Sequence, residues 1–143
     1  MEVEGVRSDG FNAACGIVRH LNCLQDQNRL TRRRALEAIR TEIHSGYSKN
    51  VDDEIVIRPL LRAFSDPVEK CRELAITTSS EVLKLTSDPS SLLQCVIPTL
   101  VQRLAQPEIV ESSEELRLNL VQLMRSVLDR CNVHVTPYLN DLV

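Results

Sequence analysis

Ser65-Asp66-Pro67-Val68-Glu69-Lys70-Cys71-Arg72-Glu73-Leu74-Ala75 joins a helix-start signal to a charged pair that recurs along the chain. Asp66 is an N-cap residue type, Pro67 suits a first helical position, and Glu69 suits the third, near the positive end of the helix dipole. Behind them Val68, Cys71, Ala75, Thr78, Val82 and Leu85 step by threes and fours, the spacing of one helical face. Asp66 lies six residues before Arg72, and forty residues upstream Asp26 lies six before Arg32. Thr31-Arg32-x-x-Ala35 aligns with Cys71-Arg72-x-x-Ala75, and a third copy, Leu116-Arg117-x-x-Leu120, follows 45 residues on with Glu111 six before its arginine. Pro59, Pro98 and Pro137 recur at intervals of 39. A repeat of about 40 residues holding two helices marks an α-solenoid, because one helix pair cannot bury both of its apolar faces and stacked pairs can.

Working outward, helical spacing covers most of the chain. Phe11, Ala14, Cys15, Val18 and Leu21 form one stripe, and Ala35, Ile39 and Ile43 a second. Ile55, Val56, Leu60 and Phe64 predict a third helix, the stripe from Val68 to Leu85 a fourth, and Leu92, Leu93, Val96, Leu100 and Leu104 a fifth. Leu116, Leu120, Leu123, Met124, Val127 and Cys131 give a sixth, and residues 133–143 a seventh. Asp88-Pro89 repeats the Asp-Pro start, and Ser112-Ser113-Glu114-Glu115 reads as a capping box. Ile55-Val56-Ile57 and Cys95-Val96-Ile97 are possible strand seeds, but each sits inside a longer helical stripe. Short connections make successive helices antiparallel neighbours. The expected architecture is all-α: about three and a half helix pairs over residues 11–143 behind a frayed segment, residues 1–10.

Composition narrows the function. The chain has 143 residues, 43% apolar, with four glycines and no tryptophan. Scarce glycine disfavours turn-rich β folds and phosphate-cradling loops, and neither GxxxxGK[ST] nor GxGxxG occurs. A net charge of −3 gives no general attraction for nucleic acid or anionic membrane, and no apolar run approaches the roughly 20 residues of a membrane span. The acidic start, lacking an apolar signal core, points to the cytoplasm. Five widely spaced cysteines read as buried small apolar residues in a reducing compartment.

The order Pro59, Asp66-Pro67, Cys71-Arg72 resembles a HEAT repeat: a first helix with proline, a turn with Asp, and a second helix opening on an apolar residue and Arg. In that family the acid and the arginine form ladders between neighbouring repeats. The resemblance carries a structural role to Asp26 with Arg32 and Asp66 with Arg72, and more weakly to Glu111 with Arg117, where the turn is expanded by about six residues. Leu30-Thr31-Arg32-Arg33-Arg34-Ala35-Leu36-Glu37-Ala38-Ile39-Arg40, Pro59-Leu60-Leu61-Arg62, Glu114-Glu115-Leu116-Arg117-Leu118 and Pro137-Tyr138-Leu139-Asn140-Asp141 resemble, more closely, the HEAT-repeat axonemal dynein assembly factors. That resemblance implies a cytoplasmic, non-catalytic scaffold for preassembly of outer and inner dynein arms. Its implied partners are axonemal dynein intermediate or heavy chains, chaperones and other assembly factors. It also implies a longer array of which this is the N-terminal part, in keeping with an end at Leu142-Val143 inside the first helix of a repeat. The alternatives are a HEAT adaptor with other clients, in transport, translation or phosphatase regulation, and a helical nucleic-acid binder.

Chemical signatures are thin. His20-x-x-Cys23 and Cys131-x-x-His134 each place two possible ligands one helical turn apart, but neither has the second half of a zinc site. No GxSxG or other nucleophile signature occurs, so no catalytic residue, cofactor, metal or small-molecule substrate is assigned. Arg29, Arg32, Arg33, Arg34 and Arg40 put five arginines in twelve residues. With Arg32 assigned to the ladder, Arg29, Arg33, Arg34 and Arg40 remain as a solvated face or a surface for an acidic protein. Glu37 between them and the lack of interleaved aromatics argue against phosphate and base contacts. Residues 105–113 form the expanded turn, which with Glu108 and Glu114 is either the other candidate partner surface or, equally, a tolerated loop length with no role.

Overall fold

The computed structural model of the chain describes residues 16–46 and 51–138. Helix α1 is described over residues 16–22 and runs into a 3-10 turn, Cys23–Gln25. It is followed by α2 (Arg29–His44), α3 (Asp53–Arg62), α4 (Glu69–Leu85), α5 (Leu93–Leu104) and α6 (Glu114–Cys131). Further 3-10 turns cover Ala63–Ser65, Pro89–Leu92 and Asn132–Tyr138. No strand occurs among the described residues, and Val56-Ile57 and Cys95-Val96-Ile97 are helical. The frayed start at residues 1–10, the stripe residues Phe11, Ala14 and Cys15, and the last part of the expected seventh helix lie outside the described residues. The described part of that seventh element is a 3-10 segment containing Pro137.

The helices form two layers. In one, α2 packs on α4 and α4 on α6; in the other, α3 packs on α5. The pairs α3–α4 and α5–α6 cross between the layers, so the chain is an antiparallel α-solenoid built from helix pairs. One continuous core runs through it, from Ile17 and Leu21 through Leu36, Ile57, Phe64, Ala75, Val96 and Leu100 to Leu120, Val127 and Cys131. Pro59 and Pro98 sit inside α3 and α5, where each removes one N–H from the helical ladder.

The helix starts differ from their expected form in two places. Helix α4 begins at Glu69 with Val68 at its N-cap, two residues later than the Asp66-Pro67 signal suggests. Asp66 instead bonds the Val68 N–H and turns its carboxylate toward α2, so Asp-Pro shapes the turn and not the first helical positions. At α6 the cap is one-sided: the Ser113 hydroxyl accepts from the Leu116 N–H, and leucine, not a glutamate, stands at the third position. Asp88 does cap its segment, accepting from the Ser90 N–H with Pro89 following it.

The buried faces are wider than the stripes. Ile76 and Leu83 are buried although they lie off the α4 stripe, because α4 touches its own pair partner and both neighbouring helices of its layer, and Leu36, three residues before Ile39, joins the buried stripe of α2. In α1 the buried residues are Ile17 and Leu21, with Val18 turned outward, and Leu85 ends the α4 stripe in solvent. Thr78 lies fully inside, with a hydroxyl that has no hydrogen-bond partner.

Two substitutions separate packing from polarity here. Phe64→Ala should cost about 3–5 kcal/mol, through lost burial and the cavity left behind. Thr78→Val keeps the shape and removes an unpaired buried hydroxyl, so it should be neutral or stabilising by about 1 kcal/mol. Urea unfolding followed by circular dichroism reads both, and a destabilised Thr78→Val would mean that the hydroxyl has a partner in solution.

Candidate interaction surface

Two of the repeat arginines, Arg32 and Arg72, bond in two directions. Arg32 on α2 donates from Nε and Nη2 to the Asp66 carboxylate at 2.7 and 3.2 Å. Its Nη1 donates to the carbonyls of Asp26 and Gln27 at 3.0 and 3.1 Å. Arg72 on α4 repeats the arrangement one pair on, with Nε and Nη2 to Glu111 at 2.8 and 3.0 Å and Nη1 to the Asp66 carbonyl at 2.9 Å. Arg117 on α6 donates to the Glu111 carbonyl at 2.7 Å. The six-residue spacing in sequence is therefore a contact to backbone: each arginine holds the carbonyl of the acid in its own pair, and that acid's side chain serves the pair before. Asp26 departs from this, its carboxylate accepting from the Asn28 N–H within its own turn.

Glu111 is the most heavily bonded of the three acids. Its side chain is fully buried and also accepts from Arg103 Nη2 at 2.6 Å and from the Ser113 N–H at 3.1 Å. Burial alone would push its carboxyl up, but the bonds from Arg72, the Ser113 N–H and Arg103 outweigh burial and hold it below the ordinary value. Arg103 reaches it from α5. It stands five residues after Pro98, near the end of α5, whereas the equivalent position after Pro59 is Phe64 in the 3-10 turn that continues α3. The hydrogen bonds that Arg32 donates to Asp66 hold its guanidinium above its ordinary value, and burial pushes the thiols of Cys71 and Cys131 up, so both stay protonated small apolar groups.

The remaining candidate residues do not gather into one patch. Arg33 pairs with Glu37 at 3.2 Å on the same helix, and Arg40 pairs with Glu81 of α4 at 3.2 Å, while Arg29 and Arg34 are exposed. Glu108 is exposed in the α5–α6 connection beside Ile109, which is 74% exposed, and Glu114 is 3.8 Å from Arg117. Sequence reasoning missed the contacts on the far edge. Arg130 of α6 donates to the carbonyls of Leu83 and Thr86 at the end of α4, and the Thr86 hydroxyl donates to Asp53 at the start of α3. It also missed Glu81, which accepts from Arg40 and lies 2.9 Å from His44 Nε2. Glu81 stands 41 residues after Arg40, close to the repeat period, and that spacing was the available signal. Among the described residues no three His, Cys, Asp or Glu side chains converge as metal ligands, and no helix is long and apolar enough to cross a membrane.

The geometry ranks the acids. Glu111→Ala strands two buried guanidinium groups and should cost about 3–5 kcal/mol, Asp66→Ala about 1–3, and Asp26→Ala least. Because the folded-state carboxyl of Glu111 lies below its unfolded value near 4.5, its stabilising effect is complete above that pH. The effect is lost as pH falls through the lower folded value, so Glu111→Gln should flatten the acid limb of a stability–pH curve. Equal midpoints for the three alanine variants would show that this edge is too solvated to matter.

Comparison with known proteins places the chain. The family described as dynein axonemal assembly factor 5-like, TPR repeats, matches residues 23–143. Dynein axonemal assembly factor 5 of Xenopus laevis is 39% identical over 148 aligned residues, covering all of this chain and 18% of that protein. The mouse and human proteins of the same name are each 35% identical, over 87% and 86% of this chain and 16% of their own length. No solved structure matches significantly. The 40-residue spacing exceeds the 34-residue period of a tetratricopeptide repeat and agrees with a HEAT period. By the extent of the family match and by identity to these relatives, the chain belongs to the dynein axonemal assembly factor 5-like family of helical-repeat proteins.

Proposed function

We propose that this chain is one section of a non-catalytic scaffold that acts in the cytoplasm during preassembly of outer and inner axonemal dynein arms. The observation that carries the reading is the family membership of a chain spanning under a fifth of its curated relatives, each named for dynein axonemal assembly. The architecture supports it. A solenoid held by contacts between successive helix pairs leaves its helix faces and turns along the stack for other proteins. The candidate surfaces are spread over α2 and the α5–α6 connection, as suits binding through an extended face. The clients in this reading are dynein intermediate or heavy chains, with chaperones and other assembly factors alongside.

The test is affinity purification of the full-length protein from a ciliated-cell extract, with quantitative mass spectrometry. Axonemal dynein chains should be enriched over other cytosolic proteins of equal abundance, and loss of the protein should deplete assembled arms. Retrieval of unrelated clients alone would leave a helical scaffold with another role.

A further inference from the structure

Aligning the helices by the ladder arginines (Arg32, Arg72, Arg117) places Glu37, Arg40, Thr41 and His44 of α2 in register with Thr77, Ser80, Glu81 and Lys84 of α4, and with Gln122, Arg125, Ser126 and Asp129 of α6. At the α2–α4 crossing this stripe is closed. Arg40 donates to Glu81, and His44 reaches the other oxygen of the same carboxylate. At the α4–α6 crossing the residues in the same two positions are Ser80 and Ser126, too short to meet. A groove of about 290 Å³ opens there, with Ile76 and Leu123 at its base. Thr77 and Ser80 line it from α4 and Asn119, Gln122 and Ser126 from α6, all at helical one-face spacing. Among the described residues none of these five side chains makes a hydrogen bond, although Thr77, Ser80, Asn119 and Ser126 are half-buried.

We infer that the α4–α6 groove binds an extended segment of a partner polypeptide through its main chain, with Asn119 and Gln122 as the principal contacts. The inference rests on the proposed reading of the chain as a protein-binding scaffold. A peptide backbone offers alternating N–H and C=O groups, and side-chain amides and hydroxyls both donate and accept. The groove is poor in net charge: Glu81 and Lys84 are its one acid and one cation, with Glu81 Oε1 bonded by Arg40 and its Oε2 2.9 Å from His44 Nε2 but without a hydrogen bond. It also holds no aromatic side chain, so neither phosphates nor bases find their usual partners. The stripe spans seven helical residues, about 10 Å, which accommodates roughly three residues of extended chain. The segment at the centre of the groove should carry small or uncharged side chains, since main-chain contact needs close approach.

The test uses the purified 143-residue chain and a displayed library of random twelve-residue peptides. Enriched peptides are synthesised and titrated against three proteins: the unaltered chain, Asn119→Ala with Gln122→Ala, and Ser80→Arg with Ser126→Glu. The last pair rebuilds in this groove the bridge that Arg40 and Glu81 make one repeat earlier, so it closes the site while favouring the fold. Both variants should keep the helical circular dichroism of the parent and bind about tenfold or more weakly. A photocrosslinker replacing Gln122 should label the bound peptide. Enrichment of no peptide, or equal binding by the closed variant, would overturn the groove. If it is overturned while the full-length protein still retrieves dynein chains, the scaffold reading survives. If the groove binds peptides and dynein chains are never retrieved, the client is wrong and the groove stands.

Discussion

A guanidinium group can donate along two edges at once, and the regularity of this solenoid depends on that property. Arg32 and Arg72 each grip the backbone carbonyl of their own turn with Nη1 and the carboxylate of the next pair with Nε and Nη2. A lysine, with one compact ammonium on a flexible stem, would satisfy one side or the other but not set both in a fixed geometry. The arginine therefore does two things that a hydrophobic core cannot. It fixes the conformation of the turn that starts each second helix, and it sets the register between neighbouring pairs. The apolar core supplies the driving force for stacking, but apolar contact is non-directional and leaves register loosely determined.

Helix α4 carries a heavier packing duty than the other helices. Helix α4 meets α2 on one side, α6 on the other, and α3 across the layers. Its buried set accordingly includes Cys71, Leu74, Ala75, Ile76, Val82 and Leu83, and it takes in Arg72 and the hydroxyls of Thr78 and Ser79. Small residues at Ala75, Thr78 and Ser79 let neighbouring elements approach closely, and the unbonded hydroxyls are the cost of that choice in a helix buried on three sides.

This explains what was legible in the sequence. Helix existence and pairing could be read because a stripe such as Leu116, Leu120, Leu123 and Val127 follows from 3.6-residue geometry alone. The ladder arginines could be found because their spacing to the acid of their own turn is local and repeats. What could not be read was the direction of each bond. Asp66 and Arg72 look like partners at six residues, yet the Asp66 side chain belongs to Arg32, 34 residues away, and sequence spacing does not distinguish a carbonyl contact from a carboxylate contact. The same limit hid Arg103, Arg130 and Glu81, whose roles arise where separate helices meet. Ile76 escaped the α4 stripe for a related reason, since a single helical period describes one buried face and Ile76 faces a second neighbour, α6.

Division of labour between the edge and the face follows from these contacts. The ladder edge is constrained, because Arg32 and Arg72 must each match a carbonyl behind and an acid ahead, and even the expanded turn before α6 delivers Glu111 to Arg72. The faces of α2, α4 and α6 carry no such obligation. At equivalent positions they hold Arg40 and Glu81 at one crossing and Ser80 and Ser126 at the next. One crossing is consequently sealed by charge and the other is open and nearly neutral, although the backbone arrangement around both is set by the same arginine contacts. A repeat protein organised this way can vary what each segment presents without disturbing how the segments stack. The surface of such an array can thus vary through the short side chains between its helices, as it does at Ser80 and Ser126.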